Sequence, residues 1–165
     1  MTPPGRTLLV LRHAKSAWPD GVADLDRPLT ERGRRSCAAV GALLVRAALA
    51  PSAVLCSPAR RAVDTARAVL DAAGLPDRVP IVEPRLYDAP GAQVHYLLGE
   101  LDDDDRTVLF VGHEPELVRL VHTLSGAVVR LPTAALAILG GERSWTSMGQ
   151  DGAELVGLYA PRLLG

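Results

Sequence analysis

The sequence predicts a three-layer α/β fold with a mostly parallel central sheet and helices on both faces. Two patterns carry that reading. Short continuous apolar runs, clearest at 8–11 and 107–111, have the length and residue types of strands buried on both faces. Segments with apolar residues at helical spacing separate most of them, and alternating strands and helices build parallel sheets. Composition agrees. Hydrophobic residues make up 48% of the chain but aromatics only 4%, so Ala, Val and Leu must pack helices tightly onto the sheet. At 165 residues the chain fits one domain, 1–165, with a sizeable core.

Residues 1–5 read as a flexible leader and 7–11 as the first strand. Residues 12–28, rich in Pro, Asp and Gly, form a long loop, and long ordered loops are often functional. A helix opens at 29–33, where the Thr30 hydroxyl can accept from a free amide of the first turn. Cys37, Val40, Gly41, Leu44 and Ala48 mark its inner face, and Pro51 ends it. Residues 53–56 form the second strand. Ser57-Pro58 starts the next helix, with Ser as cap and Pro in the first helical position. Ala59, Ala62, Val63, Ala66, Val69 and Leu70 form its apolar stripe, and Gly74 stops it. A third strand at 79–82 leads into a loop at 83–88, then a helix at 91–101. The strand at 107–111 turns through Gly112-His113-Glu114-Pro115 into a helix stopped by Ser125-Gly126. Residues 134–139 and 154–159 read as antiparallel strands at one side of the sheet, joined by a Gly-rich loop containing Trp145 with no helix between them.

Several function classes drop out early. A net charge of −1 provides no global field toward nucleic acid or a membrane, so any anion site must be local. Cys37 and Cys56 form neither a disulfide framework nor a metal pattern, which favours a reducing compartment. The N-terminus lacks a signal-peptide run, and Arg46 interrupts the best membrane-span candidate. A bacterial, cytoplasmic protein is expected.

Parallel strands place their carboxyl ends along one edge, where open α/β folds bind ligands. Three strands here end in groups that favour phosphate. The first ends in Arg12-His13. The second leads to Arg60 in a helix's first turn, where free amides and the helix dipole also favour an anion. The fourth ends at His113, between a Gly and a helix start. Their convergence predicts a phosphate pocket.

The segments Leu11-Arg12-His13-Ala14-Lys15-Ser16, Cys56-Ser57-Pro58-Ala59-Arg60-Arg61-Ala62 with Thr65-Ala66, and Val111-Gly112-His113-Glu114-Pro115 resemble the histidine phosphatase superfamily, which includes the phosphoglycerate mutases. Within it the chain is most similar to the short SixA-type phosphohistidine phosphatases, a likeness extending to Asp26-Arg27-Pro28-Leu29-Thr30 and Glu83…Leu86-Tyr87. The resemblance implies a phosphoglycerate mutase-like fold and His13 as nucleophile, forming a covalent phosphohistidine that water hydrolyses. Arg12, Arg60 and Arg27 would hold phosphoryl oxygens with planar forks, and His113 would donate to them. Such a cation clamp implies no metal and no cofactor. In the wider family a carboxylate near the end of the third strand protonates the leaving oxygen. Glu83 occupies a comparable position, with Asp20, Asp24, Asp26 and Asp88 as rivals. The expected partner is a phosphorylated protein or a small phosphorylated metabolite.

Competing motifs fail on spacing. A cysteine-phosphatase loop needs five residues between Cys and Arg, whereas Cys56 and Arg61 enclose four and position 62 is Ala. A zincin helix starting at His113-Glu114 needs His at 117, which is Leu. The acidic run 102–105 precedes its strand and reads as a solvated turn. His95 and His122 read as structural, and no P-loop or dinucleotide motif occurs.

Overall fold

The computed structural model describes residues 5–88, 91–141 and 144–161. Of the predicted leader, all but Gly5 lies outside them. Six strands form one sheet: β1 (Arg6–Arg12), β2 (Ala53–Cys56), β3 (Ile81–Val82), β4 (Thr107–Gly112), β5 (Leu136–Gly141) and β6 (Glu154–Tyr159). Their order is β3-β2-β4-β1-β5-β6. The first four are parallel, β5 runs antiparallel to β1, and β6 antiparallel to β5.

Side chains alternate across the pleat and fill two cores. Leu9, Leu11, Leu109 and Val111 face one layer, where they meet Cys37, Val40 and Leu44 of α1 (Glu31–Arg46) and Ala62, Ala66 and Val69 of α2 (Arg60–Ala72). Leu8, Val10, Val108 and Phe110 face the other. There they pack against α3 (Glu116–Ser125), α4 (Trp145–Asp151) and a 3-10 helix at Gly91–Glu100. Gly41 lets α1 and α2 approach, because a Cβ there would meet the Ala72 Cβ at 2.5 Å and the Val69 carbonyl oxygen at 2.8 Å.

The structure adjusts several elements. Thr30 caps α1 as expected, its Oγ1 accepting from the Gly33 N–H at 3.0 Å. The helix ends at Arg46 rather than Pro51, because Ala48 turns left-handed (φ 54°) and Leu49 donates back to the Leu44 carbonyl. Ala48 is therefore exposed. α2 begins at Arg60, two residues past the predicted Pro58 start, and Ser57 Oγ accepts instead from the Ala59 N–H just before the helix. β3 shrinks to two exposed residues at the sheet edge. The helix at 91–101 is a 3-10 helix. The last two strands pair antiparallel but do enclose a helix, α4, capped by Ser144 Oγ accepting from the Ser147 N–H. Among the described residues no helix is long and apolar enough to cross a membrane.

Candidate active site

The chain leaves β1 toward the α1–α2 layer and leaves β4 toward the α3 layer. Adjacent parallel strands whose connections diverge open a crevice at their carboxyl ends, the usual ligand position in such sheets. Register fixes what meets there. Arg12 pairs with Gly112, so His13 and His113 follow side by side, ring centroids 5.0 Å apart. On the far side of β4, Cys56 pairs with Val111, which sets Ser57 Oγ 2.8 Å from His113 Nε2. The resulting pocket encloses about 400 Å³ and is lined by Arg12, His13, Arg27, Arg61, Tyr87, His113 and Glu114, with Lys15, Ser16, Trp18, Glu116 and Thr133.

His13 Nδ1 lies 2.9 Å from the Ala14 carbonyl oxygen, which can only accept. The proton therefore sits on Nδ1, and Nε2 keeps its lone pair. Burial, reinforced by the charges of Arg61, Arg12 and Arg27, outweighs that carbonyl and lowers the His13 pKa to about 4. The ring is thus neutral at pH 7. His113 is lowered to about 3, first by burial, then by His13 and Arg61. Thr65 positions the neighbour of His13: its Oγ1 accepts from the Ala14 N–H at 2.9 Å and donates to the Arg61 carbonyl at 2.6 Å.

Arg60 does not reach this pocket. Its side chain is 55% exposed on the outer face of α2 and pairs with Asp64 one turn on, at 3.4 Å. The next residue, Arg61, takes the position expected of it, buried at 5% exposure with Nη2 3.4 Å from His113 Nδ1. The reason is helical phase. Arg61 shares the buried stripe of Ala62, Thr65, Ala66 and Val69, while Arg60 lies about 100° away. Arg12 lines the pocket as expected, its Nη1 donating to the Leu131 carbonyl at 2.9 Å and pairing with Glu114 at 3.3 Å. Arg27 also lines it. Three of its N–H groups hold the 12–28 loop, donating to the Ala17 carbonyl, Asp24 Oδ1 and Ser16 Oγ.

Glu83 is not among the pocket-lining residues. It follows β3 and caps the 3-10 turn after it, and three strand spacings separate β3 from β1, roughly 14 Å at ~4.8 Å each. Both its carboxylate oxygens accept from Arg85, at 2.8 and 3.0 Å, and those bonds hold its pKa below the usual carboxylate value. An ionised carboxylate aimed at Arg85 is not poised to give up a proton. Among its rivals, Asp24 does approach the site, as an acceptor. Oδ1 takes Arg27 at 3.1 Å, and Oδ2 takes Arg61 at 3.0 Å and the Tyr87 hydroxyl at 3.1 Å. Burial opposes its charge, but these donors outweigh burial and lower its pKa. Asp24 thus orients the two arginines. Cys56 is fully buried and burial raises its thiol pKa to about 11, consistent with a packing role.

Sheet topology and pocket chemistry together describe an α/β enzyme built around an oxyanion site. Comparison with known proteins fixes the family. The model for the histidine phosphatase superfamily (branch 1) matches residues 8–90, the segment that supplies His13, Asp24, Arg27 and Arg61. The chain belongs to that superfamily and is a phosphatase. An uncharacterized protein of Mycobacterium tuberculosis, Rv1276c, is 38% identical over 163 residues, spanning 92% of this chain and 100% of its own. Among solved structures, the Nakamurella multipartitia protein assigned as a phosphohistidine phosphatase SixA is 29% identical, with a TM-score of 0.78 over 97% of this chain and 98% of that one. The protein histidine phosphatase SixA complexed with tungstate shares the fold at a TM-score of 0.82 and 24% identity, over 96% of this chain and 99% of that one.

Proposed function

We propose that this phosphatase removes the phosphoryl group from phosphohistidine on a signalling or phosphotransfer protein, without a metal, through a phosphorylated His13. The observation that carries this reading is the bare Nε2 of a buried, neutral His13, set beside Arg12, Arg61 and His113. The Nε–H groups of Arg12 and Arg61 are buried with no hydrogen-bond partner among the described residues. The parts of the two guanidinium groups that line the pocket would meet phosphoryl oxygens.

In the first step the Nε2 lone pair forms an N–P bond while the bond from phosphorus to the leaving imidazole breaks. The leaving ring carries a proton on its other nitrogen, taken from solvent, so it departs as neutral imidazole. Water then attacks phosphorus, releasing inorganic phosphate and restoring neutral His13. Arg12, Arg61 and Arg27 hold the equatorial oxygens in line and offset their charge. His113, with Nε2 on Ser57 Oγ and Nδ1 facing Arg61, backs the clamp from the β4 end. Arginines already engage Asp24 and Glu114 at the site, which favours a leaving group that needs little acid assistance. Imidazole, with a conjugate-acid pKa of about 6.5, leaves far more readily than an alkoxide. Two free, buried cysteines suit a reducing, cytoplasmic setting.

The test compares a phosphohistidine protein, a sugar phosphate and an aryl phosphate side by side, with radiolabelled phosphoprotein quenched in alkali. The phosphohistidine protein should have the highest kcat/KM, and the label should become acid-labile and alkali-stable on the enzyme. His13→Ala should lose both label and turnover while melting at the same temperature. Turnover retained by His13→Ala would remove the nucleophile, and a preference for the sugar phosphate would replace the substrate.

A further inference from the structure

On the other side of the Arg12–Glu114 ion pair, the pocket borders a second and larger groove of about 760 Å³, and both side chains belong to both walls. The groove runs along the 128–132 segment between α3 and β5 and reaches Leu158 at the end of β6. Its chemistry differs from that of the pocket. Val128 is 90% exposed and Leu158 50%, so two aliphatic side chains stand in water beside a site built for an anion. Val128 also borders a further hollow of about 360 Å³ that includes Val118 of α3. Exposed Arg130 and Arg119 edge this apolar strip.

A sugar, polar all round, gives no account of a strip lined by Val128, Leu131 and Leu158. A protein does. An apolar centre with a charged rim is the anatomy of a protein–protein contact, and two cations on that rim match carboxylates on a partner. The shared Arg12–Glu114 wall places the strip immediately beside the phosphoryl position. A phosphorylated side chain entering the pocket brings its own protein surface over the groove.

We propose that the groove lined by Arg12, Val128, Arg130 and Leu158 docks the protein bearing the phosphorylated residue, through an apolar patch edged by carboxylates. This rests on the phosphoprotein reading above and adds where that protein sits. Docking there raises kcat/KM for the phosphoprotein without changing chemistry at His13.

Two exposed substitutions, Val128→Asp and Arg130→Glu, test this with two probes: a helical phosphotransfer domain phosphorylated on histidine by phosphoramidate, and phosphoimidazole. Wild type should turn over the domain with the higher kcat/KM. Val128→Asp should lose on the order of tenfold on the domain, mostly in KM, as expected for a central contact. It should stay within about twofold of wild type on phosphoimidazole, as befits a contact the small probe does not make. Arg130→Glu should flatten the salt dependence on the domain alone. If wild type prefers the domain and both variants keep that preference and its salt dependence, the groove is not the docking site and the phosphoprotein reading stands. If wild type shows no preference for the domain, the phosphoprotein reading fails and takes the groove with it.

Discussion

His13, Arg61 and His113 at the floor of the pocket are buried, and each is held by at least one hydrogen bond to backbone or side chain. At the rim, Trp18 is 73% exposed, with its ring 3.2 Å over the Arg27 guanidinium, and in the adjoining groove Val128 stands almost wholly in water. Floor residues sit at strand ends or on the inner stripe of a helix, so the sheet determines their spacing. Rim residues sit in connections that the sheet does not constrain. The difference separates two tasks: the floor supplies chemistry common to any phosphorylated substrate, and the rim can discriminate among carriers of the phosphoryl group.

The widest contrast lies between neighbouring residues. Arg61→Ala removes a floor cation and should lower kcat/KM on every substrate by on the order of 10²–10³, as for other oxyanion donors. Arg60→Ala removes a solvated i,i+4 ion pair and should stay within about twofold, because such pairs contribute little. Steady-state kinetics on an aryl phosphate measures both, and an equal loss from the two would erase the distinction between inner and outer face.

A pH titration sharpens the comparison next. Both floor histidines titrate lower when folded, near 4 for His13 and 3 for His113, than the 6.5 of an unfolded histidine. Above pH 6.5 neither state binds the extra proton, so the histidines leave stability unchanged. As pH falls below 6.5 the unfolded state takes up protons that the folded state refuses, and stability drops until the folded pKa is reached. At pH 5 the loss is on the order of 2 kcal/mol for each histidine. Denaturant melts between pH 7 and 5 read this directly. NMR of the imidazole rings should find His13 still neutral at pH 5, and a midpoint near 6.5 would mean that the floor is solvated like the rim.

A smaller effect belongs to Thr65. Thr65→Val keeps the shape but leaves the buried Ala14 N–H without its acceptor, which should cost about 1–3 kcal/mol in urea unfolding. The rate on phosphoimidazole should fall with it, because Ala14 also carries the carbonyl that fixes the His13 tautomer. Rescue by Thr65→Ser, which restores the hydroxyl, would separate this role from packing.

Much of this arrangement is readable from residue order. Continuous apolar runs give β1 and β4 because strands buried on both faces need no polar alternation. Once those strands are parallel neighbours, Arg12, His13 and His113 must meet at one edge. Arg61 was legible too, but only through phase: it follows the Ala62, Ala66 and Val69 stripe, while Arg60 and Asp64 form an outward i,i+4 pair. Weighting the helix's first turn over its inner face selects the wrong arginine. Glu83 fails for a reason its position after β3 does not reveal: Arg85 takes both its carboxylate oxygens, while Tyr87, four residues on, lines the pocket. Asp24 opens a single 3-10 turn within the loop, and its role emerges only when Arg27 from the same turn, Arg61 of α2 and Tyr87 after β3 converge on it. α4 was signalled by Ser144 and Ser147, a short cap that neighbouring glycines obscure.

The 12–28 loop is stitched along its length. Ala17 donates to the Pro28 carbonyl, Ser16 bridges Leu29, Thr30 donates to the Lys15 carbonyl, and Gly33 lies so close to Lys15 that a Cβ there would collide with its carbonyl oxygen. Arg27 and Asp24 tie the middle of the loop to α2. An arriving phosphoryl group therefore meets one wall that is already in its final shape. No part of the interaction energy is diverted into ordering that wall, and departing phosphate does not wait for it to open. A wall ordered in advance leaves more of the interaction energy to appear as affinity for the phosphoryl group.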